Sequence, residues 1–214
     1  MEIRQFPWNV IDSNSWLIIE GSDGLLIDAV DSQALFDSIK NLSSLTVILT
    51  HCHFDHIFGL NKIREIRPDA TVISTKLCSE YIGNKFRNLS SVATAFTSFY
   101  NGGVQSVSIQ PFECKPTDLV FEGMKDFFWA GHIVSLHSVY GHSADGLIAV
   151  INDCIFSGDT LLSISTTTRF PTGNKKRFRD EDIPLLKSFG KEYRVLPGHG
   201  DPMLFEDAIV VNEG

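Results

Sequence analysis

Directly after the apolar run Leu45–Thr50, the chain reads His51-Cys52-His53-Phe54-Asp55-His56, three histidines and an aspartate in six positions. Along an extended segment alternate side chains share a face, so His51 and His53 can grip one cation together. Asp55 and His56 fall where the chain turns into a helix and can point to a second position. The positive end of the helix dipole there favours an ionised Asp55 and a neutral His56, the forms that a metal needs. Polar and charged groups this close to a core are costly unless they have a task. A histidine-rich surface turn is the alternative, and it leaves the HxHxDH spacing unexplained.

Three more residues stand in turns that follow strand-like runs. These are His142 in Tyr140-Gly141-His142-Ser143, Asp159 in Ser157-Gly158-Asp159-Thr160, and His199 in Pro197-Gly198-His199-Gly200. Each has a glycine beside it, as expected where backbone must approach a crowded site. Taken singly, each is a satisfied structural histidine or a turn aspartate. Taken with HxHxDH, all seven are candidate metal ligands. Imidazole and carboxylate donors suit zinc, and iron or manganese would also be accepted. Two divalent cations roughly 3.5–4 Å apart can share a water whose pKa falls from about 15.7 toward ~7, and the resulting bridging hydroxide can attack an ester-like carbonyl. The expected activity is therefore metal-dependent hydrolysis, with Asp55 and Asp159 as the catalytic carboxylates, and with Asp55 serving alternatively as a proton shuttle if it is not tightly bound.

In HCHFDH, GHS, SGDT and PGHG, in that order, the chain resembles the metallo-β-lactamase-fold hydrolase superfamily over nearly its whole length. The resemblance implies an α/β fold, an αβ/βα four-layer sandwich of two mixed sheets packed face to face with helices outside. It also implies that His51, His53 and His142 hold one metal, that Asp55, His56 and His199 hold the other, and that Asp159 bridges them. Departures narrow the substrate. The β-lactamases proper usually lack a histidine at the position of His56, and a common subclass has cysteine where Asp159 stands. Quorum-signal lactonases have a tyrosine shortly after the bridging aspartate, where this chain has Thr160-Leu161-Leu162. The tRNA-processing members need a basic docking insertion. The pattern is most similar to hydroxyacylglutathione hydrolases (glyoxalase II) without their C-terminal helical domain, since the chain stops at Gly214, shortly after His199. That points to an ester or thioester substrate. Two rivals stand beside it: a mononuclear iron persulfide dioxygenase of the same superfamily, and a noncatalytic accessory protein, which the complete ligand set disfavours.

The elements that must position these residues are legible in outline. Ser15–Glu20 and Gly24–Asp28 read as strands around the turn Gly21–Gly24, with a helix capped by Asp31 or Ser32 running to about Lys40. After the strand ending at Thr50, a single helix is expected over Asp55–Ile66, stopped by Pro68. A strand over Ala70–Ser74 and a helix over Lys76–Lys85 follow. Residues 87–115 carry no clear pattern. Strands are expected over 118–122, 132–139, 146–151 and 153–157, a loop over 163–179, a helix over Asp180–Phe189, a strand over Tyr193–Leu196 and a helix over Pro202–Val211. Strands in runs, with helices set apart, imply sheets packed face to face with helices outside. One domain over 1–214 is expected, with pseudo-halves near 1–115 and 116–214 and no visible repeat.

The chain has 214 residues, 18 Lys plus Arg against 26 Asp plus Glu, and a formal net charge of −8. That balance opposes nonspecific binding to nucleic acid and leaves a small-molecule substrate open. The N-terminus has no signal pattern, the apolar runs are too short to span a bilayer, and Cys52, Cys78, Cys114 and Cys154 form no CxxC pair, so a reduced, cytoplasmic protein is expected. Alternation puts Cys52 on the core side, opposite His51 and His53. Asp28 is read either as a turn cap or as an acceptor for a metal-binding histidine. His132 and His137 are read as structural. Phe127, Phe128, Trp129, Tyr81, Phe96, Phe99 and Tyr100 are read as core in preference to pocket wall. The cluster Arg169, Lys175, Lys176, Arg177 and Arg179 is read as a solvated loop; at a pocket rim it would instead select an anionic substrate.

Overall fold

A computed structural model describes residues 1–100 and 107–212, so part of the unpatterned stretch, residues 101–106, lies outside the described residues. The chain clusters into two compact units, Met1–Val120 and Phe121–Gly214.

The first unit is built on a mixed sheet of order β1-β2-β3-β4-β5-β6. Strands β1 (Glu2–Trp8), β2 (Ser13–Glu20) and β3 (Asp23–Ile27) run antiparallel in sequence. After α1 (Gln33–Ile39), whose first turn is capped by the Ser32 hydroxyl accepting from Leu35 N, strand β4 (Ser44–Ile48) lies parallel to β3. The segments α2 (Phe54–Ile57) and α3 (Leu60–Ile66) lead to β5 (Thr71–Thr75), parallel to β4. Then come α4 (Lys76–Tyr81), a 3₁₀ turn at Ser90–Val92, α5 (Ala93–Tyr100) and β6 (Leu119–Phe121). Because β3 and β4 are parallel, their C-terminal ends fall side by side, and Asp28 meets Thr50 there.

The single helix expected over Asp55–Ile66 is two pieces. Gly59 N donates to Ala29 O at 2.7 Å, and a Cβ on Gly59 would sit 2.4 Å from Val30 O, so the loop after β3 presses into the helix and breaks it. The helix expected to reach Lys85 ends at Tyr81, and the unpatterned stretch contains α5. Leu17, Leu26, Leu35, Val47, Ile57 and Ile63 are among the residues that form this unit's core.

The second unit carries a sheet of order β12-β11-β10-β9-β8-β7. Strands β7 (Met124–Trp129), β8 (His132–Val139), β9 (Gly146–Ile151) and β10 (Cys154–Gly158) form an antiparallel meander. A helical run follows: α6 (Lys175–Arg177), a π-helical turn at Phe178–Asp182, and α7 (Ile183–Lys187). Strand β11 (Arg194–Pro197) is parallel to β10, β12 (Met203–Leu204) is antiparallel to β11, and α8 (Phe205–Asn212) closes the unit. The expected loop over 163–179 thus turns helical at Lys175, and the helix expected from Pro202 is preceded by a short strand. β8, β10 and β11 point the same way, so His142, Asp159 and His199 all emerge from one end of this sheet. Val139, Ile148, Ile155, Leu186 and Val195 pack its core. No helix among the described residues is long and apolar enough to cross a membrane.

Candidate metal centre

In the first unit, His51, His53, Asp55 and His56 come together beyond the end of β4, all of them buried. Asp28, in the left-handed region at φ 59, holds the group from behind. Its Oδ1 accepts from Thr50 N at 2.7 Å, and its Oδ2 accepts from Thr50 Oγ1 at 2.7 Å and from His56 Nδ1 at 2.8 Å. Since the Thr50 hydroxyl donates to Asp28, its contact with His51 Nδ1 at 3.0 Å makes that nitrogen the donor. One carboxylate therefore sets the tautomer of two histidines, leaving the lone pair of each on Nε2. Burial pushes the Asp28 carboxyl above its usual range, against the opposing pull of His56 and of the Thr50 N–H and hydroxyl. Serines of β2 brace the same loops: Ser13 Oγ donates to Asp55 O at 3.1 Å, and Ser15 Oγ donates to Asp28 O at 2.9 Å.

The donor atoms have the separations of a coordination sphere. His51 Nε2 lies 3.0 Å from His53 Nδ1, and His56 Nε2 lies 3.3 Å from Asp55 Oδ2. Two ligands at ~2.0–2.1 Å from a tetrahedral cation stand about 3.3 Å apart. Cys52 faces away: it is 1% exposed, belongs to the core, and its thiol lies 3.5 Å from Arg87 O.

In the second unit, Asp159 Oδ2 stands 3.4 Å from His142 Nε2 and 3.4 Å from His199 Nε2. A single carboxylate oxygen thus faces both imidazoles. His142 Nδ1 is turned to Thr167 O at 3.0 Å, which fixes it as the donor and Nε2 as the lone-pair nitrogen. The loop carrying His142 is tied down by Asp182, whose carboxylate accepts from Tyr140 N at 3.0 Å and Gly141 N at 2.6 Å, while Asn174 N donates to Gly141 O at 2.7 Å. Burial raises the Asp182 carboxyl to about 6, despite the Tyr140 and Gly141 N–H groups. Ser143 Oγ donates to the buried Asp145 and reaches Thr172. The Asp159 loop is pinned by Asn212 of α8, which accepts from Thr166 N at 2.7 Å and donates to Leu162 O at 3.1 Å.

Each unit therefore gathers its own share of the seven expected residues. Asp28 acts on His56 and, through Thr50, on His51. Thr50, Thr167, Asp182, Asn174 and Asn212 were not singled out from sequence. Only Thr50, next to the motif, carried a local signal. His132 pairs with Asn152, and His137 packs against Phe189, with burial lowering its pKa. The aromatic residues divide: Trp129 is buried and Tyr81 and Phe96 pack on the core, whereas Phe99 and Phe128 are exposed. In the basic stretch, Lys176 and Arg179 pair with Asp180, and Arg177 pairs with Glu181 and lies over the Tyr140 ring. Phe170 meets the His142 ring edge-on at 5.1 Å between centroids.

The model of the Metallo-beta-lactamase superfamily matches residues 8–199. A probable metallo-hydrolase of Streptococcus pyogenes serotype M6 is 23% identical over 206 residues, 94% of this chain and 84% of the relative. A hydroxyacylglutathione hydrolase of Haemophilus ducreyi is 31% identical over 75 residues, covering 34% of this chain and 32% of that protein. Among solved structures, the BLEG-1 B3 metallo-β-lactamase shares the fold at a TM-score of 0.81 and 22% identity, over 99% of this chain and 98% of that one. TTHA1623, solved in a di-iron-bound form, shares it at 0.76 and 24% identity, over 98% of each chain.

Proposed function

Because the chain belongs to the metallo-β-lactamase superfamily, we propose that it is a dinuclear metallohydrolase that cleaves an ester or thioester, with His51, His53, Asp55, His56, His142, Asp159 and His199 as its ligands. The observation that carries this reading is the donor spacing. In each unit, imidazole nitrogens and carboxylate oxygens stand 3.0–3.4 Å apart. The opposite ring nitrogens of His51, His56 and His142 are each committed to an acceptor. The similarity to a hydroxyacylglutathione hydrolase over a third of the chain supports a thioester. Zinc suits the donor set, and the di-iron-bound neighbour makes iron the competing metal.

When bound, two such cations would acidify a shared water and polarise a carbonyl. The chain's own residues do the rest. Asp28 and the Thr167 carbonyl hold the imidazoles in the ligating tautomer. Asp159 Oδ2 faces two imidazoles at once. Asp55, in the first turn of α2, is a ligand in this reading; left off the metal, it would instead be the carboxylate to accept a proton and return it to the leaving sulfur or oxygen. An anionic carrier such as glutathione would be held by cations of the basic stretch, with Arg169 and Lys175 the ones to test, since Lys176, Arg177 and Arg179 have acid partners.

Protein purified without chelator should carry close to two metals per chain by elemental analysis and should hydrolyse a glutathione thioester ahead of a neutral ester or a lactone. Arg169→Gln with Lys175→Gln should raise KM for the anionic thioester and leave the neutral ester unaffected, more so at low salt. One tight iron per chain, with oxygen consumed on a glutathione persulfide and no hydrolysis, would replace this reading with the dioxygenase one. No metal and no turnover would leave the accessory-protein reading.

A further inference from the structure

We infer that Asp182 is a positioning residue for the metal centre, setting the place of His142 through the backbone of Tyr140 and Gly141; the inference rests on the reading of His142 as a ligand. Its carboxylate is distant in sequence from the histidine, yet Oδ1 and Oδ2 both accept from Tyr140 N at 3.0 Å, and Oδ2 also accepts from Gly141 N at 2.6 Å. These are the two peptide N–H groups immediately ahead of His142, just past Val139, where β8 and its pairing with β9 end. Asp182 is 1% exposed, so this carboxylate is taken out of water and accepts from backbone N–H groups in its place. A buried carboxylate is a costly way to satisfy two N–H groups that a turn or a water could satisfy, unless their direction matters.

The same π-helical turn fixes Gly141 a second way. A Cβ on Gly141 would stand 2.3 Å from the Phe178 ring, so the turn that supplies Asp182 also leaves the loop no room to move toward it. The far side is closed as well: Asn174 N bonds Gly141 O, and the backbone at Gly173 packs against His142 O, where a Cβ would come within 2.9 Å. The loop is therefore held on both sides, and the imidazole orientation is completed by Thr167 O. Of these contacts, Asp182 is the one a side-chain substitution removes cleanly.

The test measures metal affinity by competition with a chromophoric chelator, together with the absorption spectrum of the cobalt-substituted protein, in Asp182→Ala, Asp182→Asn, His142→Ala and Leu35→Ala. Leu35 is fully buried in the first unit's core and serves as a control for lost stability alone. Asp182→Ala should weaken one of the two metals by about 10–100-fold and shift the cobalt spectrum, as loss of an orienting partner of a ligand does. Asp182→Asn should fall between, because its amide oxygen can still accept one N–H. Leu35→Ala should lower Tm and leave both readouts unchanged. The inference is overturned if Asp182→Asn and Asp182→Ala bind metal as the unaltered protein does, or if Leu35→Ala weakens binding equally. If Asp182→Ala does not fold, Asp182→Asn decides alone. If His142→Ala keeps both metals at full affinity, the ligand assignment itself fails and the inference falls with it.

Discussion

At the scale of single residues, the chain spends much of its polarity on holding other polar groups still. Asp28 touches Thr50 and His56 directly and reaches His51 through Thr50. Asp28→Asn keeps the shape and one acceptor for Thr50 N, but it cannot accept at the second atom from both the Thr50 hydroxyl and His56 Nδ1. Metal affinity should fall about 10–100-fold, read by equilibrium dialysis against zinc. Unchanged affinity would mean that packing alone orients His56. The seven candidate ligands were legible because their types are unusual beside a core and their spacing matches strand and helix geometry. The groups that aim them were less so. A threonine carbonyl has no residue-type signature, and Asp182 is brought to Tyr140 and Gly141 by the tertiary fold, not by proximity in sequence.

At the scale of elements, the break between α2 and α3 is forced from outside. Backbone at Ala29 and Val30 occupies the space that a longer continuous helix would need at position 59. Gly59→Ala should cost roughly 1–3 kcal/mol, because the clash is with a carbonyl that cannot rotate away, and it should also disturb His56, whose carbonyl accepts from Ala29 N at 2.7 Å. Urea denaturation and metal content measured together would check both halves. If stability is unchanged, the loop after β3 yields more easily than its hydrogen bonds suggest. The apolar pattern over Asp55–Ile66 gave no hint of this break, since helical periodicity continues across it. The strands that escaped sequence reading have a shared cause. β1, β7 and β12 are all edge strands. β1 contains Pro7, β7 is largely exposed, and β12 has two residues. An edge strand buries little, so it lacks the continuous apolar run that made β3, β4, β9 and β10 plain.

At the scale of the molecule, gathering imidazoles and carboxylates in buried positions is unfavourable without a cation among them. Removing metal should therefore lower stability as well as activity. Metal at about 1,000 times its Kd stabilises by about 4 kcal/mol per site, and each kcal/mol moves Tm by roughly 2–4 °C in a chain of this size. Chelator-treated protein should accordingly melt roughly 10 °C or more below the loaded protein by calorimetry, and added zinc should restore it. Coincident melting curves would show that the clustered donors do not bind a metal tightly.

All four thiols are out of reach in the folded chain. Burial holds Cys114 up at about 12 and Cys154 at about 11, so neither is a useful nucleophile at neutral pH until its surroundings open. Cys52, Cys78 and Cys114 lie in the first unit and Cys154 in the second. Native cysteines thus form a reporter set for local opening. Under a slow pulse of alkylating agent, peptide mass spectrometry should find Cys154 modified independently of the other three if the second unit opens by itself, and all four modified at one rate if the chain opens only as a whole. Chelation should accelerate whichever pattern appears.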